Sequence, residues 1–378
     1  MNWRRMLEVA VLLVVVSLPT GAQEWERRER EYEIAARYAP HFYQVVDRRQ
    51  PRLDYLARFD FDGNWRADDN WANAGNPEIP LPAYVYFSVA ETPTHFFIHY
   101  ICFHPRDWKG NRLTNATLQT FKFVARPLVF PRWLGLDFLS LAHENDLEGV
   151  LVVVARDSAA GFEGRTVLAE TFSHHRFKAY RVQGQEEAFQ TGGRLVQTVE
   201  ERPMLFIESQ GHGLRESLQP KKHQAVVHYR YTGTAEEPGE DFSLPVGYEL
   251  LPLYETLWQH ALASDRSERT FSKFRLYDQF ELADFFASQE PRIGTALRGR
   301  KRGRNRAAAP WAWKNNGMRG QWFFDPAQNI AERHRPRGPF ETEYVFNRFL
   351  ASSRALSSPS REPVPSSRPP RPSEPPLR

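Results

Sequence analysis

The stretch that most constrains this chain is Leu141–Asp157, LAHENDLEGVLVVVARD. Val150 to Val154 is an unbroken apolar run dominated by valine, whose branched side chain suits a pleated strand. The lack of polar alternation predicts a strand covered on both faces. Three potential metal ligands, His143, Asp146 and Glu148, stand just before it. Side chains repeat every two residues along a strand, so Asp146 and Glu148 project from one face. His-Glu-Asn-Asp reads as a turn that swings His143 back over that face, and Gly149 leaves the backbone beside Glu148 uncrowded. Burying three ionisable groups at the mouth of such a strand is costly unless something pairs them. A divalent cation would do so; a solvated acidic strand end fits the same string.

The ends of the chain differ from its body. Arg4 and Arg5 precede the apolar run Val9 to Leu18, and Thr20-Gly21-Ala22 supplies small residues for cleavage near Ala22. That is the pattern of a signal peptide over 1–22, and it predicts an exported protein, periplasmic or extracellular. The run is too short to span a bilayer, and no other stretch is long and apolar enough. From Ala351 the chain is Ser, Pro and Arg with almost no aromatic or branched residues, which predicts a disordered tail over 351–378. Between the two, residues 23–350 read as a single domain, with 41% hydrophobic and 13% aromatic residues overall to build its core.

Charge and cysteine narrow the partners. The net charge of +4 is accounted for by the two ends, so the body is neutral. Within the body, Arg292 to Arg306 carries seven basic residues and no acid, and the remainder is acidic. The basic residues Arg298, Arg300, Lys301, Arg302, Arg304 and Arg306 could meet an anionic membrane surface or simply be solvated. Nucleic acid is not an expected partner of an exported chain. Cys102 is the single cysteine, so no internal disulfide forms, and its apolar setting reads as a buried small hydrophobe.

Along the chain, Glu24 to Val46 reads as a helix that Pro40 ends or kinks. Leu53 to Asn73 is dense in Asp, Asn, Gly and Trp. Asp60, Asp62 and Asn64 alternate like a calcium loop, but Trp65 stands where that loop needs Gly, so an aromatic-stapled loop is expected. Tyr84–Ala90 and His95–Phe103 form a hairpin, with Pro105 stopping the second strand and Asp107 at its exit. Leu118–Val129 is an edge strand or an insertion. Arg165–Ser173, Pro203–Glu208 and Ala225–Tyr231 read as strands, and Ser209-Gln-Gly-His212-Gly as a turn. Glu249–Leu262 and Tyr277–Ser288 read as amphipathic helices. Strands first and helices late predict a mainly β protein, a β-sandwich with flanking helices and C-terminal helical additions.

Two motifs together resemble a known family. Tyr100-Ile-Cys-Phe-His-Pro-Arg-Asp107 and His143-Glu-Asn-Asp146-Leu-Glu148 are similar to the two halves of the metal site in necrosis- and ethylene-inducing-peptide-like proteins, which are secreted β-sandwich cytolysins. The resemblance implies that Asp107, His143, Asp146 and Glu148 hold magnesium or calcium in an acidic pocket at one end of a β-sandwich. Ile207-Glu-Ser-Gln-Gly-His212-Gly, Pro310-Trp-Ala-Trp-Lys-Asn-Asn-Gly317 and Trp322-Phe-Phe-Asp-Pro326 are similar to segments of a fungal vacuolar-sorting-associated family. The chain departs from the cytolysins at Asn145 and Leu147, where they carry His and Trp. It also lacks their disulfides and inserts Trp108–Leu139 between the half-motifs, so toxicity is not implied.

Three carboxylates and one imidazole make a hard, oxygen-rich shell that suits magnesium, calcium or manganese better than zinc. Three functions follow from such a site. The ion docks a polar lipid headgroup or a glycan; or it activates water in a hydrolase, with His174, His175 or His212 as base; or it is purely structural. No nucleophile elbow or two-metal ligand set is visible, which favours the first.

Overall fold

The computed structural model describes residues 20–63, 70–107, 143–173, 176–209, 211–257, 322–323 and 325–349. The first element is helix α1 (Thr20–Arg37). Its last turns bury Ile34, Ala35 and, just beyond, Tyr38. The helix stops there because Pro40 disfavours helical geometry at the residue before it. Beyond it His41–Asp47 is strand β1, not more helix. The apolar spacing Ile34, Tyr38, Phe42 mimics a helical stripe, but His41–Asp47 pairs with a strand on each side, Arg202–Ile207 and Gln224–Tyr231. Two tyrosines from the sheet bond to carbonyls at this junction: Tyr100 Oη donates to Ala35 O at 2.7 Å and Tyr248 Oη to Pro40 O at 2.7 Å. Such carbonyls have no partner within the helix.

The remaining strands are β2 (Tyr84–Glu91), β3 (His95–Asp107), β4 (His143–Arg156), β5 (Gly164–Ser173), β6 (Arg176–Val182), β7 (Leu195–Val196), β8 (Thr198–Val199), β9 (Arg202–Ile207), β10 (Leu214–Arg215), β11 (Gln224–Tyr231), β12 (Val246–Pro252) and β13 (Phe346–Asn347). Short helices α2 (Asn70–Asn73) and α3 (Pro326–His334) flank them. The protein is mainly β, as expected. Its strands form one hydrogen-bonded path, β10-β9-β1-β11-β12-β2-β3-β4-β5-β6-β7, with β13 on β2 and β8 on β9. The sheet is mixed, because β1/β9, β11/β12, β12/β2 and β6/β7 pair in parallel. It curls until its halves face each other: Leu214 N–H of β10 donates to Ser173 Oγ of β5 at 2.8 Å. The two halves enclose the core as a sandwich does.

The β2–β3 hairpin and strands β5, β9 and β11 stand where the sequence places them. Glu249–Pro252 is strand, not helix; it pairs β2 from Glu249↔Tyr84, because its apolar residues are needed at the centre of the sheet. The rest of that expected helix beyond residue 257, Tyr277–Ser288, Leu118–Val129, the expected signal segment before Thr20, the basic stretch Arg298–Arg306 and the tail from Ala351 lie outside the described residues. Among the described residues no helix is long and apolar enough to cross a membrane. The loop after β1 is stapled by aromatics: Phe59 packs on Phe103 with centroids 5.0 Å apart, and its N–H donates to Tyr86 Oη at 2.8 Å.

Pro105 does not end β3. The ladder between β3 and β4 runs from His95↔Ala155 through His104↔Asp146 to Asp107↔His143. The pairing of β2 with β3 ends at Val85↔Cys102. Past that point β3 meets a loop and not a strand on its β2 side, with the Ala57 N–H donating to Phe103 O at 3.1 Å, so a missing proline N–H is tolerated there. His143–Asp146 likewise belongs to β4, and the turn-like character survives only at Asn145, whose φ is 56°. Asparagine tolerates this left-handed geometry better than most residues, and Asn70 Nδ2 of α2 donates to its Oδ1 at 2.6 Å.

The outer face of β3–β5 is closed by the C-terminal segment. Glu170, 1% exposed, accepts from Trp322 Nε1 at 2.8 Å, from Arg333 Nη1 at 2.6 Å and lies 3.0 Å from His334 Nε2. His99 lies beside this hub, its Nε2 3.1 Å from Trp322 O and its Nδ1 3.2 Å from Ser88 Oγ. A carbonyl only accepts, so Nε2 carries the proton and Ser88 donates to Nδ1.

Two expectations follow. A Cβ at Gly149 would stand 2.2 Å from Tyr100 O and 3.0 Å from Phe172 Cε1. Gly149→Ala should therefore cost about 3 kcal/mol in urea unfolding, as an overpacked core site does; a loss below about 0.5 kcal/mol would show that the strands yield freely. Burial pushes the pKa of His95 and His99 down to about 4. Below about 6.5 the unfolded chain takes up protons that the native state refuses until about 4, so stability falls as pH drops through that window. Unfolding midpoints at pH 7 and pH 4.5 should differ less for His99→Gln than for the wild type; an equal difference would contradict this.

Candidate functional site

The site is built where the longest ladder leaves the shelter of β2. Asp146 and Glu148, two residues apart on β4, are 5% and 3% exposed. Opposite them in the ladder stand His104 and Cys102 of β3. Burial, and then the Glu148 charge, push the Cys102 thiol pKa up, so it is the inert small core residue expected.

The curl of the sheet brings a second strand group to this point. After β9 the chain turns through Gly211, φ 137°, and His212, φ 50°. That turn drives the His212 ring into the interior, where it is fully buried. Its Nδ1 lies 3.0 Å from Asp146 Oδ2. Its Nε2 lies 3.4 Å from Asp54 Oδ1, an ion-pair distance too long for a good hydrogen bond. Asp54, itself fully buried, also accepts from Ser209 Oγ at 2.9 Å and from the Asp47 N–H at 3.2 Å. The His104 ring stacks on His212, centroids 3.8 Å apart and planes within 4°, and its Nε2–H donates to Gln44 Oε1 of β1 at 3.1 Å.

The electrostatics separate the two stacked rings. Burial alone would lower the pKa of His212, but the hydrogen bond to Asp146 and the charges of Asp146 and Asp54 outweigh it and raise it to about 10. His104 is pushed well below the usual range by burial and by the His212 charge, against a smaller opposing pull from Asp146. A neutral ring thus lies flat on an imidazolium clamped between two carboxylates. Held in that way, His212 is a charge partner and not a free base.

The sequence-predicted residues divide as follows. Asp146 and Glu148 share a buried site, and His212 contacts Asp146 directly. Asp107 and His143 are register partners three residues further along the same ladder, beyond Arg106↔Glu144; their side chains lie outside the described residues, as do His174 and His175. Among the described residues no three His, Cys, Asp or Glu groups converge as a metal would require. Sequence reading missed Asp54, His104 and Gln44. Asp54 lay in a loop read as aromatic-stapled, and His104 was noted only as a strand end, since nothing in their spacing connects them.

The triad predicts strong coupling. Asp54→Asn should destabilise the protein by about 3 kcal/mol, the scale for removing one partner of a buried charge. Asp54→Asn combined with His212→Gln should cost clearly less than the two single losses added together. Additive losses in chemical denaturation would mean that the contact carries no energy.

No protein family matches the sequence, and no curated protein matches it. Nine solved chains match in structure. One, described as a toxin fold for microbial attack and plant defence, is 15% identical, with a TM-score of 0.26, covering 51% of this chain and 70% of the other. Necrosis and Ethylene inducing Protein 2, from the causal agent of cocoa's witches' broom disease, is 12% identical with a TM-score of 0.27, over 62% of this chain and 80% of the other. NLPPya in complex with mannosamine is 15% identical with a TM-score of 0.25, over 50% and 68%. Identities and scores of this size transfer no residue roles. The structural neighbours of this chain are thus necrosis- and ethylene-inducing proteins, and the likeness to a vacuolar-sorting-associated family gains no support from them.

Proposed function

We propose that this is an exported divalent-metal-binding protein that recognises a polar lipid headgroup or a glycan at a metal-centred acidic pocket. The observation that supports this reading is the burial of Asp146 and Glu148, two residues apart on β4, at 5% and 3% exposure, with Asp107 and His143 paired three residues further along the ladder. Buried carboxylates two residues apart on one strand call for a cation or a proton to offset their charge. His212 answers Asp146 from the interior side. Asp107, His143, Asp146 and Glu148 would be its ligands, and their oxygen-rich chemistry suits magnesium, calcium or manganese. The bound ion would supply open coordination positions for hydroxyl or phosphate oxygens of the ligand.

Within this reading Asp54 and His212 hold the Asp146 carboxylate in one orientation, as outer partners of metal ligands commonly do. The clamped state of His212 weighs against the hydrolase alternative, in which it would be a candidate base. A metal-dependent hydrolase and a structural-ion module remain the competing outcomes of the test.

Calcium, magnesium or manganese at millimolar concentration should raise the Tm of the wild type by several degrees, since an ion that binds only the folded site stabilises it. Asp107→Asn and Glu148→Gln should abolish the increment while leaving the apo Tm near that of the wild type. Glucosamine, mannosamine or a phosphorylated headgroup should add further stabilisation only with the metal present, and no hydrolysis product should appear. An unchanged Tm with every ion contradicts the metal site; product formation favours the hydrolase; ligand binding indifferent to metal favours a structural ion.

A further inference from the structure

Strand β1 has two faces with different chemistry. Inward it sends Phe42, Gln44 and Val46, all fully buried, and Gln44 reaches the acidic site through His104. Outward it presents His41 and Tyr43, which are partly exposed, as are the outward residues of its neighbours β9 and β11. Tyr43 is in register with His228 of β11 and Phe206 of β9. The three rings form one row: Tyr43 and His228 stack at 4.5 Å with planes within 6°, and Tyr43 and Phe206 at 5.1 Å within 24°. His41 extends it, with Nδ1 3.1 Å from His228 Nε2.

The outward face of an exposed strand is ordinarily polar and uncommitted, whereas this one carries a row of rings crossing three strands, about 10 Å at the usual strand spacing. Arg202 and Arg230 flank the row. Among the described residues neither guanidinium has a carboxylate partner; Arg202 lies 5.8 Å over the Tyr231 ring, and Arg230 is exposed. Both arginines act on His41, and Arg230 on His228, to lower their proton affinity after burial has done so. The acid that acts on the patch is Glu200, on His41.

Two nitrogens 3.1 Å apart could clip a transition metal, but two neighbouring guanidiniums repel a cation. They attract an anion. The rings, stacked face to face on one another, turn their edges outward, and ring edges are the electropositive part of the aromatic quadrupole. Tyr43, at the centre of the row, has a ring on each face and offers nothing for a nucleobase to stack on. Among large apolar residues that are strongly exposed, only Val199, paired with Arg202, borders the patch, so it lacks the apolar wedge that enters a bilayer. An extended soluble chain with spaced anionic groups fits it best. We propose that the outer face of β9–β1–β11 is a binding site for an acidic polysaccharide, whose carboxylate or sulfate groups pair with Arg202 and Arg230 while its hydroxyls meet Tyr43, His41 and His228.

This site lies on the opposite face of β1 from the proposed metal pocket and stands independently of it. The test uses the full chain with the six basic residues of 298–306 replaced by Ser, so that only the sheet face is read. Polygalacturonate and dextran sulfate should bind at low salt, weakening as salt rises, and neutral dextran should not. Arg202→Ser with Arg230→Ser should weaken binding at least tenfold. Arg230→Glu alone, at an exposed position, should act in the same direction if the double variant folds poorly by circular dichroism. Absence of binding, equal binding of neutral dextran, or indifference to the arginine substitutions overturns the proposal. So does a preference for phosphatidylserine vesicles or a single-stranded oligonucleotide over both polysaccharides.

Discussion

The contact on which the rest depends is that between Asp146 on β4 and His212 in the turn after β9. These residues come from opposite halves of the sheet, and they meet because the sheet curls until Leu214 reaches Ser173. A bare carboxylate or a bare imidazolium at that depth would be costly; together, with Asp54 behind and His104 stacked above, they are compatible with a dry interior. The arrangement fixes the position of one carboxylate and, through the ladder, the end of β4 on which the proposed metal ligands lie.

The same economy of buried polar groups recurs through the fold. Tyr100 and Tyr248 satisfy carbonyls where α1 gives way to β1, Tyr86 satisfies the loop at Phe59, and Glu170 gathers Trp322, Arg333 and His334 onto the outer face. With one cysteine and no internal disulfide, the described architecture is held by packing and by these satisfied polar contacts between distant segments. The polar hubs fall where two layers meet, which is where a slip of one strand would leave a charge without its partner.

The legible part of the sequence was the part with local periodicity. The run Val150–Val154, the hairpin of β2 and β3, and strands β5, β9 and β11 follow from residue type and alternation alone, and so does the placing of Asp146 and Glu148 on one strand, whereas the sequence left open whether they are buried or solvated. What failed was governed by non-local pairing. Phe42–Val46 continued an apparent helical stripe but became the central strand β1, because β9 and β11 flank it. Glu249–Pro252 became a strand because it pairs with β2, continuing the run Val246–Tyr248 that pairs with β11. Pro105 was read as a terminator without knowledge that β2 stops short of it. Asp54 and Gln44 join the site only through the curl of the sheet and His104 through its register with Asp146, and no spacing in the chain records either.

The most direct test of the account is a crystal structure of the protein grown with manganese, with anomalous diffraction recorded at a wavelength where the ion scatters. The account predicts a single strong peak at the end of β3 and β4, within about 2.0 to 2.6 Å of oxygens from Asp107, Asp146 and Glu148 and of a nitrogen from His143. It would be contradicted by the absence of a peak there, with the Asp107 carboxylate more than about 8 Å from those of Asp146 and Glu148, too far to share one ion.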